Sequence, residues 1–268
     1  MEARPHSLNL VLPSGAQLIR FSNLEDIFWY DIRSNNPNGI GFSCYGKEHF
    51  EQYLDARTKL TKDKIKLIDR AKRELELDKD LLSLVYKGKS DKRERTLNKF
   101  GGNLSMPHYA SQSEKFFHKF NAGKKKKVIN MAFQVGTFIG GNYEHSYFGI
   151  IKSILAAQAL GISLNIDMFD SDTEAIDNGD SYVIVNVCKS SEKLDLKKIL
   201  MCSHQMFFSG TLFNGYSASG EQARIGTFLP DRRIIHDLGS RYDVIGGNLL
   251  NSEGNEMVQK ILKIGNIN

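Results

Sequence analysis

Only three cysteines occur in 268 residues: Cys44, Cys188 and Cys202, odd in number, far apart and without a C-x-x-C pair. That pattern speaks against a disulfide framework or a thiol metal site and points to a reducing compartment. Proline is scarce too, at five residues, which removes the collagen-like and proline-rich disordered classes. No apolar run approaches the roughly 20 residues of a membrane span. The opening residues 1–6 lack the basic-then-apolar layout of a secretion signal. The expectation is a soluble cytoplasmic protein with no membrane partner. Also missing are H-E-x-x-H, G-x-S-x-G, the dinucleotide fingerprint and the P-loop pattern. Cys202 and His204 stand two apart, and side chains at that spacing on a helix diverge, so no catalytic Cys–His pair is read there.

What the chain has in excess is positive charge in one place. Residues 56–128 carry 21 Lys/Arg against 9 Asp/Glu, whereas residues 1–55 carry 4 against 7 and residues 129–268 carry 11 against 15. The whole basic surplus therefore sits in the middle quarter. Segregation of this kind builds a face that attracts phosphates or acidic partners. Its densest part interleaves Lys87, Lys89, Lys92, Arg93, Arg95, Lys99, Lys115, Lys119, Lys124, Lys125, Lys126 and Lys127 with Tyr109 and several phenylalanines. Cations that track a backbone, with aromatics on which bases stack, are the means of holding single-stranded nucleic acid. These residues are the candidate nucleic-acid contacts.

Periodicity gives the organisation. Residues 16–21 read as a strand, and Ser22 with Glu25 forms a capping-box pattern opening a short helix. Residues 47–57 carry Phe50, Tyr53 and Leu54 at helical spacing. Residues 61–85 read as a long amphipathic helix with Ile65, Ile68, Ala71, Leu75 and Leu82 inward and Asp69/Arg73 and Lys72/Glu76 as i,i+4 pairs. Residues 87–99 read as a loop or basic arm, and Phe116, Phe117 and Phe120 as a short helix. From 128 the rhythm changes. Apolar residues 128–135, 163–169 and 181–188 read as strands, with helices over 143–160 and 194–202 and Gly161 as a helix stop. This β-α-β order predicts a mostly parallel, doubly wound α/β sheet. Further on, residues 233–236 and 243–245 read as strands and 256–264 as a final helix. The division expected is a helical, basic N-terminal region over 1–123, containing one short strand, and an α/β domain over 124–268.

Two further clusters carry chemistry in principle. Gly136, Thr137, Gly140 and Gly141 follow the first core strand, where doubly wound sheets hold ligands, and form a possible phosphate loop. Asp167, Asp170, Asp172, Glu174, Asp177 and Asp180 offer the oxygen ligands of a cation site, but their setting among Ser, Asn and Gly reads as an exposed turn. His236-Asp237 beside Arg232, Arg233 and Arg241 reads as a small polar site or as ordinary strand-end polarity.

Residues 128–135, 143–161, 163–170, 182–188 and 194–204, with 21–25 and 46–50, resemble the von Willebrand factor A-like proteins encoded by tailed phages. The resemblance implies a Rossmann-like sheet. The wider family carries Asp-x-Ser-x-Ser at the end of the first strand, where this chain has Phe133-Gln-Val-Gly-Thr137. The resemblance therefore implies a fold without its metal and no cofactor. It also implies an accessory role, such as recruiting a phage polymerase to single-stranded DNA in the host cytoplasm. The function expected is a non-catalytic adaptor binding single-stranded nucleic acid and a protein partner. The alternatives are a pure protein-interaction or host-antagonising module, and an enzyme using a phosphate ligand at residues 136–141.

Overall fold

A computed structural model of the chain describes residues 8–33, 55, 62–79, 82–83, 95–98, 103–104, 117–120, 127–135, 143–176, 179–202, 207–216, 229–246 and 255–266. Strand β1 (Leu8–Val11) folds back through a turn onto β2 (Gln17–Phe21), and helix α1 (Leu24–Arg33) follows. The cap of α1 is Asn23, whose Oδ1 accepts from the Asp26 amide at 2.8 Å, rather than the expected Ser22. Helix α2 (Lys62–Glu76) buries Ile68, Ala71 and Leu75. Ile65, expected in the core, lies outside the buried stripe at 44% exposure. The ion pairs along α2 are Lys66–Asp63 and Arg70–Glu74, and Arg73 donates to the Asp69 carbonyl instead of its carboxylate.

Strands β3 (Arg95–Asn98), β4 (Asn103–Leu104) and β5 (Phe117–Phe120) make a small antiparallel sheet. Two expectations are corrected here. Residues 95–98 belong to a strand and not a basic arm, and residues 117–120 are strand and not helix. Cross-strand pairing with β3 and β4 overrides the local helical reading.

The main sheet is built on β6 (Val128–Gln134), buried from Met131 onward. Helix α3 (Tyr143–Ala159) carries the chain across to β7 (Ser163–Ile176), which pairs with β6 in parallel as the β-α-β pattern predicts. Gly161 ends α3 at φ +70, with Ile162 N donating to Ala157 O and Gly161 N to Gln158 O, the two bonds of a Schellman stop. Strand β8 (Gly179–Cys188) then departs from the expectation, because it pairs with β7 antiparallel. Only two residues separate Ile176 from Gly179, and a parallel partner needs a crossover of a dozen or more. The hairpin register closes with Ile176 opposite Gly179.

Helix α4 (Leu196–Met201) is capped by Asp195, and a π-helical turn (Phe207–Leu212) runs into α5 (Phe213–Tyr216). A side chain at Gly215 would meet Val183 Cγ1 at 2.8 Å, so glycine there lets α5 lie directly on β8. Residues 231–238, of which 233–236 were expected as a strand, form helix α6 (Asp231–Leu238), started by Pro230. Strand β9 (Val244–Gly246) joins β6 in parallel, and α7 (Asn255–Asn266) closes the described chain.

The order across the sheet is β1-β2-β8-β7-β6-β9. One face is covered by α1, α2, α3, α4, α5 and α7 around a core that includes Phe21, Ile27, Ala71, Phe133, Phe148, Ile166, Val185 and Ile261. Residues 17–33 and 62–76 are thus built into the same core as the C-terminal half. At the α2–α3 contact, Lys152 Nζ donates to Glu74 Oε2 at 3.1 Å, and the Arg70 guanidinium lies 4.3 Å from the Phe148 ring centroid. The other face has one described helix, α6, resting Ile234 and Leu238 on Leu18, Ala132, Phe169, Tyr182 and Ile184. Among the described residues no helix is long and apolar enough to cross a membrane.

Replacing Gly161 by alanine forces a Cβ into left-handed backbone with open space around it, so the cost is conformational. Urea unfolding of Gly161→Ala should show a loss of about 1 kcal/mol at unchanged m-value. An unchanged midpoint would mean that α3 ends by other means.

Candidate functional site

Helix α6 has eight residues and spans about 12 Å, whereas the ten residues of β8 extend about 33 Å. The helix therefore covers only part of its face. The rest is an open cleft of about 480 Å³ at the N-terminal ends of β6 and β7, where β2 and β8 finish. This is the end of the sheet opposite to the expected phosphate loop.

Cross-strand register assembles the cleft. Leu8, Arg20 and Ile184 lie in one row, Asn186, Asp167 and Ala132 in the next, and Asn165 beside Asn130 beyond it. Among the described residues Asp167 is the only carboxylate lining it. Its Oδ2 accepts from Tyr242 at 2.7 Å and from Arg20 at 3.1 Å, and its Oδ1 from Asn186 Nδ2 at 2.7 Å. Asp167 is 3% exposed and Arg20 43%, so the buried charge is neutralised by a partner that still reaches solvent. Burial and the Asp167 carboxylate push the Tyr242 hydroxyl well up, which keeps it a donor at all ordinary pH. The amides are ordered likewise: Asn165 Nδ2 donates to Asn130 Oδ1, and Asn165 Oδ1 accepts from the Ser190 amide, both at 2.7 Å. At the rim stand Lys189 and Arg241, both exposed, with no ion-pair partner among the described residues. With Asp167 held by Arg20, these two give the cleft its positive balance.

In the sequence Asp167 falls in the acidic cluster and Arg241 beside His236-Asp237, but no reading there joins them into this cleft, whose residues span positions 8 to 242. A signal did exist: each of the three central strands carries one asparagine inside an apolar run, at Asn130, Asn165 and Asn186. Polar groups inside such runs must find partners. Asn130 and Asn165 find each other, and Asn186 finds Asp167.

Of the sequence-derived nucleic-acid residues, Arg95 begins β3, Lys119 lies in β5 opposite Thr96, and Lys127 immediately precedes β6. The Lys127 ammonium donates to the Ile264 carbonyl at the end of α7. Lys87, Lys89, Lys92, Arg93, Lys99, Tyr109, Lys115, Lys124, Lys125 and Lys126 lie outside the described residues, as do Gly136, Thr137, Gly140 and Gly141. Of that lysine run only Lys127 is described, three residues, about 10 Å, before Asn130 in the chain.

The acidic cluster is corrected. Asp167, Asp170 and Asp172 sit on a buried strand, not an exposed turn, and Asp167 faces away from the other two. Asp177 lies outside the described residues. Among the described residues no three His, Cys, Asp or Glu side chains converge on a metal position. Asp170 accepts from the Tyr216 hydroxyl at 3.1 Å, while its other oxygen is buried without a partner. Burial, then the neighbouring Asp172 carboxylate, push the Asp170 carboxyl well above its usual range.

The His236–Asp237 pair also has a definite place, on α6 and not at a strand end. Asp237 accepts from the Tyr182 hydroxyl at 2.8 Å, and Arg233 bridges Asp237 at 3.2 Å and Asp180 at 3.0 Å. Burial works against its charge, yet hydrogen bonds from His236 and Tyr182 hold the Asp237 carboxyl below its usual range. The network is a latch that fixes α6 over β8. Cys188 and Cys202 are free and buried, and desolvation raises both thiols, so neither is activated.

The chain matches no protein-family model, no curated protein and no solved structure.

A carboxyl raised on folding contributes stability fully present below its unfolded pKa, about 3.9, and lost as pH rises through the folded value. Asp170→Asn removes that loss and keeps an acceptor for Tyr216. The variant should therefore gain on the wild type as pH rises from 4 to 8, with a slope of at most about 1.4 kcal/mol per pH unit. Denaturation at both pH values reads the difference. A gap that does not change with pH would show that Asp170 is charged in the fold.

Proposed function

We propose that the protein is a non-catalytic adaptor of the phage accessory type, holding single-stranded nucleic acid at one end of its sheet and a protein partner, such as a polymerase, elsewhere on the domain. The observation that carries the reading is the cleft: two outer cations without carboxylate partners among the described residues, over a carboxylate already saturated by three donors. A carboxylate so held is a structural anchor and not a poised base, and the positive balance suits a phosphate backbone. In sequence the lysines at 124–127 immediately precede β6, whose start lies at this same end, and they are taken as a second source of positive charge for the same ligand. A protein contact is supported at the other edge. There β1 ends the described sheet and exposes Leu8, Leu10 and Val11, an apolar strand able to accept a partner's backbone. The sheet with its crossover helix is compatible with the von Willebrand factor A-like resemblance, which remains part of the proposal.

Each phosphate of a single strand that a cation neutralises releases counterion, so log affinity falls with log salt by about 0.7 per neutralised phosphate. Replacing Lys124, Lys125, Lys126 and Lys127 together by alanine should weaken oligonucleotide binding and flatten that slope by about 0.7 for each phosphate left without its cation. Removing Tyr109 should cost about 1–3 kcal/mol if a base stacks on it. Fluorescence anisotropy across a salt series measures both. Wild-type affinity in the four-lysine variant would leave the protein-interaction reading in its place.

A further inference from the structure

We infer that the sheet-face cleft is a nucleotide subsite, taking one nucleobase against the exposed Leu8, over a buried floor that includes Leu18 and Ile184, and the adjoining phosphate between Lys189 and Arg241. The inference rests on the nucleic-acid reading and deepens it. Three features of the cleft point to this ligand class. Its lining is divided, with aliphatic side chains from β1, β2 and β8 forming an apolar wall, and cations following β8 and α6 at the rim. A nucleotide has the same division: a flat apolar face joined to an anion. Secondly, the amides between the two halves keep unused hydrogen-bonding capacity. Asn130 Oδ1 is taken by Asn165, leaving its Nδ2 without a partner among the described residues, and Asn186 gives its Nδ2 to Asp167, leaving its Oδ1 likewise without one. A free donor and a free acceptor are what a base edge needs. Thirdly, the volume of about 480 Å³ falls in the range of roughly 300–1,000 Å³ that holds small ligands.

The side chains that make the cleft are fixed before any ligand arrives. Arg20, Tyr242 and Asn186 converge on Asp167, and Asn165 is tied to the Ser190 amide just beyond Lys189. Little ordering is left to accompany binding. The ligand chemistry has two possible sources, a residue of a single strand or a free nucleotide, and both present the same base and phosphate.

The test is titration calorimetry of the full chain with thymidine 5′-monophosphate, inorganic phosphate and a short deoxythymidine oligonucleotide. The monophosphate should bind at least tenfold more tightly than inorganic phosphate. Lys189→Gln with Arg241→Gln, both on exposed side chains, should weaken the monophosphate at least tenfold and flatten the oligonucleotide salt slope by about 0.7, for the one phosphate the two cations share. Leu8→Ser, also at an exposed position, should weaken the monophosphate and leave inorganic phosphate unchanged. Equal affinity for monophosphate and phosphate would overturn the inference by showing that no base is held. Oligonucleotide binding that depends on Lys124–Lys127 but ignores the double variant would overturn it while leaving the nucleic-acid reading intact. Monophosphate binding without oligonucleotide binding would support the subsite and assign it to free nucleotides, and the single-strand reading would fall.

Discussion

The pairing of β7 with β8 is the constraint on which the rest of the molecule depends. A two-residue connection between Ile176 and Gly179 leaves the chain no option but to return antiparallel, and the register follows. It sets Asn186 opposite Asp167 and Tyr182 opposite Ser171, with a register shift next to Asp167. The first pairing supplies the amide that becomes the third donor to the cleft carboxylate. Tyr182, on the same face, reaches the Asp237 latch that holds α6 in place. A shift of one residue would send every one of these side chains to the opposite face. The polar groups on β7 and β8 therefore specify register as well as chemistry.

Coverage of the two sheet faces then decides where a ligand can sit. The face under α3 is closed by helices from both halves of the chain, and its core contains Phe133, Phe148, Ile166 and Val185 at essentially zero exposure. The opposite face has only α6 among the described helices. Strand residues under that helix are Leu18, Phe169, Tyr182 and Ile184, and those beyond its end are Arg20, Asn130, Asn165, Asp167 and Asn186. The change from apolar to polar along the same strands marks the edge of the helix. An uncovered sheet face must be polar to stay in water, and these residues meet that demand by bonding to each other. The cleft is the consequence of a short helix on a long sheet.

The sequence made some of this legible and hid the rest for identifiable reasons. The β6-α3-β7 unit was readable because its apolar runs, helix length and Gly161 stop agree with one another. The β-α-β rhythm before β8 sets the expectation of a further parallel strand, and only the shortness of the connection between Ile176 and Gly179 decides against it. Residues 233–236 looked like a strand because Arg-Ile-Ile-His lacks an obvious helical face. Pro230 and the Ile234/Leu238 spacing were the overriding signals, and both reach outside that window. Asp167, Asp170 and Asp172 resembled a turn by composition. Only the hairpin, which buries residues on both sides of β7, turns them into internal groups. The cleft residues come from β1, β2, β6, β7, β8 and the turn after α6, and such a convergence is a property of topology that no local window contains.

A domain whose residues 129–268 carry more acid than base can still hold an anion, and distance explains why. The buried acids Asp170 and Asp172 lie toward the hairpin end of β7, with Asp180 near the start of β8, while Lys189 follows the end of β8 and Lys127 precedes the start of β6. The ends of β8 are about 33 Å apart, several times the screening length of about 8 Å at physiological salt. Asp180 is moreover paired with Arg233 at its own end. A phosphate placed there would respond to the local pair of rim cations more than to the net charge of the half-chain. Two acids stand close to that place: Asp167 is answered at 3.1 Å by Arg20 and also accepts from Tyr242 and Asn186, and Asp243, two residues from Arg241, accepts from the Asn130 amide at 2.8 Å. The same three donors that stabilise a buried carboxylate thus remove the main electrostatic obstacle to an anion in the cleft.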